Sequence, residues 1–312
     1  MIYSVVLIGL GRIGYEYDIS NPTYNTHFSA ISNNKNFRII CAIDNDEIKR
    51  KNFSKQTGIK TYKMDKFLKT KNTFDLLVIA TPTETHLDVF KKIKNFKSKI
   101  VLCEKPLSDN LQDTKEIINI CKNSNFILLT NFFRRYEKSA IEIKRHINLN
   151  QKFKVVVFYS NGIYNNGSHF LDLVDLWFGK PQSFLVLKKI KSYKLNDYDV
   201  DFVLKFKNGE ITFLCWDEKF YSNYFIKIFT EKNRIDYDFN GFETKIYNII
   251  ENEDFKGFKK VNTEYIKLEN NLKDGFKNIY EYIFNILTNK KTTKISMNTP
   301  ELIEKILFEN EK

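Results

Sequence analysis

Cysteine is sparse in this sequence: Cys41, Cys103, Cys121 and Cys215 are the four among 312 residues, with no C-x-x-C pair. That leaves no disulfide framework and no thiolate metal site, and no histidine stands at ligand spacing from a cysteine. Cys41 and Cys103 lie near the ends of apolar runs, a pattern of buried free thiols in a reducing, cytoplasmic setting. No apolar run approaches the roughly 20 residues of a membrane span. Met1 to Ile8 lack both a charged start and a cleavage site, so a strand is expected there and no export signal. Arginine is also scarce, at positions 12, 38, 50, 134, 135, 145 and 234, although Lys and Arg together number 50. Nucleic-acid faces lean on the arginine fork. The net charge of +12 is therefore read as lysine spread along the chain, with no nucleic-acid partner and no membrane partner. A basic balance still attracts phosphorylated small molecules. There is no internal repeat and no low-complexity linker.

Core material is plentiful: 42% of residues are hydrophobic and 15% aromatic, over a length suited to two domains. Apolar runs at Ile2–Ile8, Phe37–Ile43, Phe74–Ala80, Ile100–Cys103 and Phe126–Leu129 alternate with helical spacings such as Leu87, Phe90 and Ile93. Short apolar strands alternating with helices predict a parallel sheet covered on both faces, over residues 1–125. The remainder, 126–312, reads differently. Helices are expected at 136–148, 168–178, 273–287 and 299–309. Strands are expected at 153–160, 182–190, 200–207, 210–216, 225–230, 233–239 and 243–249. Lys207-Asn208-Gly209-Glu210 joins two of them as a hairpin. The fold class is thus α/β for the first domain, followed by an α+β domain with a large, mainly antiparallel sheet.

Directly after the first strand stands Gly9-Leu10-Gly11-Arg12-Ile13-Gly14, a G-x-G-x-x-G in the context of a Rossmann dinucleotide-binding turn. Gly9 permits the tight turn, Gly11 lets the backbone approach a pyrophosphate, and Gly14 lets the following helix pack on the strand. The helix start offers backbone N–H groups to the phosphates. Asp44, at the end of the second strand, is placed to accept hydrogen bonds from the adenosine ribose and to repel a 2′-phosphate, favouring NAD over NADP. The other reading of Asp44 is a turn-forming Asp-Asn-Asp cluster. Lys49 and Arg50 keep NADP open. The spacing from the glycines to Asp44 exceeds the usual roughly 20 residues, and an insert from Tyr15 to Thr26 accounts for the excess. Together with His27 that segment is aromatic and polar, either covering the cofactor or forming a surface loop.

Three polar motifs follow later strands: Ala80-Thr81-Pro82-Thr83-Glu84-Thr85-His86, Cys103-Glu104-Lys105-Pro106-Leu107, and Asn131-Phe132-Phe133-Arg134-Arg135-Tyr136. The carboxyl ends of parallel strands are where ligands bind in this architecture. With these in order, and with Gly167-Ser168-His169 followed by Asp172, the chain resembles the glucose–fructose oxidoreductase and inositol dehydrogenase (Gfo/Idh/MocA) family. The resemblance implies NAD(P)-linked hydride transfer at a carbinol or keto carbon of a sugar, cyclitol, sugar phosphate or nucleotide sugar. It also implies a homodimer or homotetramer built through the C-terminal sheet. It places Lys105 as the catalytic lysine, Glu104 near the nicotinamide ribose, and Phe133 and Arg134 on the substrate side.

The residues support that chemistry independently. Oxidising a carbinol needs an acceptor for the hydroxyl proton, and His169, opening the 168–178 helix, has a suitable range. Asp172 is one turn on and shares its face, so it either orients the imidazole, binds a substrate hydroxyl, or forms a capping or surface pair. Lys105 can hydrogen-bond the reacting oxygen, and Pro106 suits a cis peptide. Thr81 and Pro82 are expected to line the nicotinamide pocket; His86 joins them or simply packs. Arg134 can anchor a carboxylate or phosphate; of the adjacent pair Arg134 and Arg135, one is expected to face the pocket and the other to form a structural ion pair. One departure stands out: where the family commonly has Asp four residues before the histidine, this chain has Asn165, which can hydrogen-bond a hydroxyl but cannot hold charge. Two other functions stay open: a nucleotide-sensing regulator without turnover, for which Asn165 argues, and an NAD-dependent glycosidase, which oxidises and re-reduces its substrate.

Overall fold

The computed structural model describes residues 1–19, 25–70, 73–192, 197–288 and 298–308. The chain divides into two compact units, Met1–Phe133 with Asp274–Ile295, and Arg134–Lys273 with Ser296–Lys312. The division expected after residue 125 thus falls after 133, and a later segment returns to the first unit.

In the first unit the chain runs β1 (Tyr3–Ile8), α1 (His27–Ser32), β2 (Phe37–Ile43), α2 (Glu47–Thr57), β3 (Thr61–Tyr62), α3 (Met64–Phe67), β4 (Thr73–Ile79), α4 (His86–Ile93), β5 (Lys97–Cys103), α5 (Leu111–Asn123) and β6 (Ile127–Thr130). All six strands pair in parallel, in the order β3-β2-β1-β4-β5-β6. Val5, Val6, Leu7, Leu76 to Ile79 and Ile100 to Cys103 are buried, as a sheet covered on both faces requires. β6 moves the boundary because it continues this ladder beside β5. The helix Gly275–Leu287 belongs here because Tyr280 and Phe284 pack edge-on against Phe37 and Tyr3, at 5.7 and 6.0 Å.

The strand order reverses between β1 and β4, which opens a crevice at their carboxyl ends. Each ladder extends one residue into the loops there. Gly9 N–H donates to Ile43, Ala80 to Ile8, Glu104 to Ile79 and Asn131 to Cys103, at 2.7–2.9 Å. The helix expected straight after Gly14 is interrupted. One turn forms, with Tyr15 N–H on the Gly11 carbonyl at 2.8 Å; the chain then leaves and returns at His27. His27 and Phe28 N–H close on the carbonyls of Ile13 and Gly14, each at 3.0 Å, so the helical ladder resumes across the insert. Residues 20–24 of that insert lie outside the described residues.

The second unit contains α6 (Lys138–His146), β7 (Phe153–Ser160), a π-turn (Gly162–Gly167) and α7 (Ser168–Phe178). There follow β8 (Ser183–Lys191), β9 (Tyr198–Phe206), β10 (Gly209–Trp216), β11 (Phe225–Thr230), β12 (Asn233–Asp238), β13 (Glu243–Glu251) and β14 (Lys259–Lys267), then a helix at Asn298–Phe308. Residue 309, where that helix was expected to end, lies outside the described residues. The eight strands order as β14-β13-β12-β11-β7-β10-β9-β8, antiparallel except for β7 beside β10. Period-two alternation points Val155, Val157, Tyr159, Phe202, Leu204, Ile211 and Phe213 into one core with Leu173, Val174 and Trp177 of α7. Most helices and strands of this unit match their expected spans to within two residues; β14 and the π-turn were not foreseen.

Candidate active site

The glycine motif sits where β1 hands over to the crevice. Gly9 has φ +102°, and a β-carbon there would stand 2.5 Å from the Ala80 carbonyl oxygen; one at Gly14 would stand 2.2 Å from that of Gly9. Both positions therefore exclude side chains. Beside Gly11, by contrast, a β-carbon would meet only Lys49 Nζ within 4 Å among the described residues, at 3.7 Å. Among the described residues no acceptor faces the backbone N–H groups of Gly11, Arg12 and Ile13. Unpaired amides in succession, with a lysine alongside, suit an anionic diphosphate. Lys49 pairs with Glu16 at 3.2 Å, but both are over a third exposed and such a pair holds little energy.

Asp44 closes the far side of this loop. Its Oδ2 accepts from Leu10 N–H and its Oδ1 from Asp46 N–H, both at 2.8 Å, so its carboxylate ties β2 to the glycine loop. Arg50 donates to the carbonyls of Asp44 and Asn45, each at 2.9 Å. The turn reading of Asp44 is thus realised, and each oxygen keeps acceptor capacity for a ligand.

At the end of β4, Thr81 and Pro82 enter a short 3₁₀ turn. His86 is fully buried, its Nε2 2.9 Å from the Thr81 carbonyl and its Nδ1 3.1 Å from that of Leu107. Burial lowers its pKa against the pull of those carbonyls. The expectation that His86 touches a cofactor is corrected: it clamps the Thr81 loop to the loop after Lys105 from within.

At the end of β5, Glu104 is nearly buried, and the Lys105–Pro106 peptide is cis. Glu104 Oε1 lies 2.9 Å from His27 Nε2 and accepts from Asn131 Nδ2 at 2.5 Å; Oε2 accepts from Lys105 N–H at 3.3 Å. His27 Nδ1 lies 2.8 Å from the Tyr280 hydroxyl. Burial pushes the Glu104 carboxyl up, but His27, Asn131 and the Lys105 charge outweigh it and hold the pKa low. Phe133 stacks on Phe276 at 6.1 Å.

In the second unit, His169 and Asp172 lie on α7 and are buried. Asp172 does not cap or face water. Its Oδ1 pairs with Arg135 at 3.2 Å, and Arg135 also reaches Asp175 at 3.6 Å. Burial, opposed by Arg135 and reinforced by Asp175, pushes Asp172 up to about 7. Arg135 is the structural ion pair expected of one arginine of the doublet. Arg134 donates to the Asn240 carbonyl at 2.6 Å and lies over the Phe170 ring at 5.5 Å. Asn165 sits in the π-turn, its N–H on Asp197 Oδ2 at 3.0 Å; Tyr164 N–H takes Oδ1 at 2.9 Å.

Sequence reasoning named Asn131 only within its strand-end motif and His27 only as the end of the insert, gave neither a role at Glu104, and missed Tyr280 and Asp197. The first three sit in different elements of the first unit, and no spacing signals their meeting. Asp197 lies 32 positions from Asn165, in a stretch without a motif.

A six-stranded parallel sheet in this order, with a glycine loop at its reversal point, defines a dinucleotide-binding unit of the Rossmann class. Residues 3–132 match the model of the Gfo/Idh/MocA family, described as an oxidoreductase family with an NAD-binding Rossmann fold. It is 25% identical over 153 residues to the scyllo-inositol 2-dehydrogenase (NAD(+)) of Bacillus subtilis, covering 49% of this chain and 42% of that protein. It is 28% identical over 142 residues to the myo-inositol 2-dehydrogenase of Thermotoga maritima, covering 45% and 39%. The matched stretch thus spans less than half the length of these curated relatives. Over 98% of its length the chain superposes on 96% of a UDP-N-acetylglucosamine 3-dehydrogenase from Acidithiobacillus ferrooxidans, with a TM-score of 0.74 at 14% identity, a likeness of fold. Among the described residues no helix is long and apolar enough to cross a membrane, and no cluster of His, Cys, Asp and Glu could hold a metal ion.

Proposed function

We propose that this chain is an NAD-linked dehydrogenase or reductase acting on a secondary carbinol of a sugar-type small molecule. The observation that carries the reading is the row of unpaired amides at Gly11 to Ile13, anchored through Leu10 to the Asp44 carboxylate. Those amides and Lys49 would hold the diphosphate and Asp44 the adenosine ribose, which favours NAD over NADP. When bound, the nicotinamide supplies the hydride acceptor or donor. Thr81 and Pro82 line its pocket. Lys105 hydrogen-bonds the reacting oxygen and stabilises charge that develops on it. His169 would accept the hydroxyl proton of the carbinol as that carbon is oxidised to a ketone. Arg134, Phe133, Asn165 and Asp172 belong to the substrate side. The relatives that act on inositol support a polyhydroxylated ring as the substrate class. Self-association through the eight-stranded sheet and a cytoplasmic location, with its reduced thiols, complete the reading.

The test is binding followed by turnover. Purified protein should bind NAD+ and change nicotinamide absorbance with one member of a panel of cyclitols, sugar phosphates and nucleotide sugars. Lys105→Ala and His169→Ala should each cut turnover by about a hundredfold or more while NAD+ binding persists. Unchanged turnover in both would remove the assignment. Binding without turnover across the panel favours the sensor reading, for which Asn165 speaks; turnover without net cofactor change favours a glycosidase.

A further inference from the structure

We infer that His27 is a positioning residue: it holds Glu104 through Oε1 so that Oε2 is presented to the nicotinamide half of a bound dinucleotide. The inference rests on the dinucleotide reading above.

The two carboxylate oxygens are unequally committed. Oε1 is engaged by His27 at 2.9 Å and Asn131 at 2.5 Å. Oε2 takes only the Lys105 N–H among the described residues, at 3.3 Å, beyond the usual range for such a bond. Because a carboxylate only accepts, Nε2 of His27 donates, and one consistent arrangement has the Tyr280 hydroxyl donating to Nδ1. Both ring nitrogens are then in use, and Phe276 packs edge-on to the ring at 5.0 Å, so the imidazole is fixed in orientation. Asn131 gives its amide to Glu104 although its own Oδ1 is buried with no partner. Leaving a buried acceptor unpaired costs roughly 1–3 kcal/mol, so the fold sustains a cost to keep this clamp.

His27 is fully buried and Glu104 is 9% exposed, so the histidine acts only through the glutamate. An oxygen with spare lone pairs at the carboxyl end of β5 suits a ribose hydroxyl, and its negative charge suits the oxidised, cationic ring over the neutral one. Without the imidazole, burial drives Glu104 to take up a proton or turn away.

The probes are NAD+ and ADP, measured by calorimetry on the full chain. ADP carries adenosine and both phosphates but no nicotinamide ribose. His27→Leu should weaken NAD+ by about tenfold or more, the worth of a charge-assisted hydrogen bond, and leave ADP within about threefold. His27→Gln, whose amide can donate to Glu104, should recover most of the loss. Should His27→Leu fail to fold, Asn131→Ala removes the other Oε1 donor and is held to the same contrast. Equal weakening of NAD+ and ADP, no weakening of NAD+, or no recovery by Gln overturns the inference. Wild-type protein that binds neither probe overturns the dinucleotide reading itself, and this inference with it.

Discussion

The backbone N–H of His27 donates to the Ile13 carbonyl at 3.0 Å, so a helical turn closes between residues fourteen positions apart (27 minus 13). In an unbroken helix that acceptor belongs to residue 17. The excursion is therefore an insertion into a helix, and His27 occupies the place residue 17 would hold.

Deleting residues 17 through 26 should then restore a continuous helix. Among the described residues the losses are the Thr26 cap, whose side chain accepts from Ser29 N–H at 3.1 Å, and the Asp18 carboxylate, which accepts from Ser29 Oγ at 2.5 Å; the cap is worth about 1 kcal/mol. Unfolding free energy in urea should fall by roughly that amount, with NAD+ affinity retained. A variant that folds but no longer binds NAD+ would assign the insert to cofactor binding.

Gly9→Ala meets two obstacles at once: φ of +102° and a carbonyl oxygen 2.5 Å from the new carbon. Strain of this kind costs about 1–3 kcal/mol. The loop must also move off the end of β4, so the urea midpoint should drop and NAD+ affinity should drop with it. Gly58→Ala is the comparison: it shares the positive φ, at +70°, but among the described residues nothing lies within 4 Å of a β-carbon there, so it should cost stability and leave NAD+ binding intact.

Asp44→Ala strips the acceptor from Leu10 and Asp46 N–H, both bonded at 2.8 Å. It also removes the charge that disfavours a 2′-phosphate, while Lys49 and Arg50 remain. NAD+ should weaken by about tenfold, and NADP+ should weaken less or improve. A ratio of the two dissociation constants equal to that of the wild type would deny Asp44 its role in cofactor choice.

Much of this was legible in the sequence because the relevant signals are local. The apolar runs gave β2, β7 and α7 their spans, and the Lys207–Glu210 turn gave the β9–β10 hairpin, since period and turn chemistry act over a few residues. β14 escaped because it is an edge strand with most of its residues exposed, hence without apolar alternation. The π-turn at 162–167 escaped because Asp197, far along the chain, binds its backbone. At the candidate site, the glycines, Asp44 and Glu104-Lys105 were readable as strand-end motifs. The His27–Glu104–Asn131 clamp was not, since three elements bring it together through tertiary packing alone. His86 shows the converse: a residue inside a motif, but turned into the protein interior.

Buried Asp172 and the partly buried Arg135 and Asp175 make a set in which one cation faces two carboxylates. Asp172 is pushed up to about 7 from an ordinary 3.8. Between those values the unfolded chain carries the charge while the folded one keeps the proton, so rising pH favours unfolding across that window and adds nothing above it. Asp172→Asn has no proton to lose. Its stability relative to wild type should therefore improve as pH rises from about 4 to about 7, by at most about 1.4 kcal/mol per unit, and then level off. Arg135→Ala should show the opposite dependence on charge. Above about pH 7 it leaves the buried Asp172 carboxylate, with Asp175 beside it, without their cation, a loss of up to roughly 3–5 kcal/mol, and near pH 5 the proton on Asp172 relieves part of it. Urea unfolding of the three proteins at these pH values checks both. Parallel stability curves for wild type and Asp172→Asn would mean that Asp172 stays ionised in the folded state and that Arg135 outweighs burial.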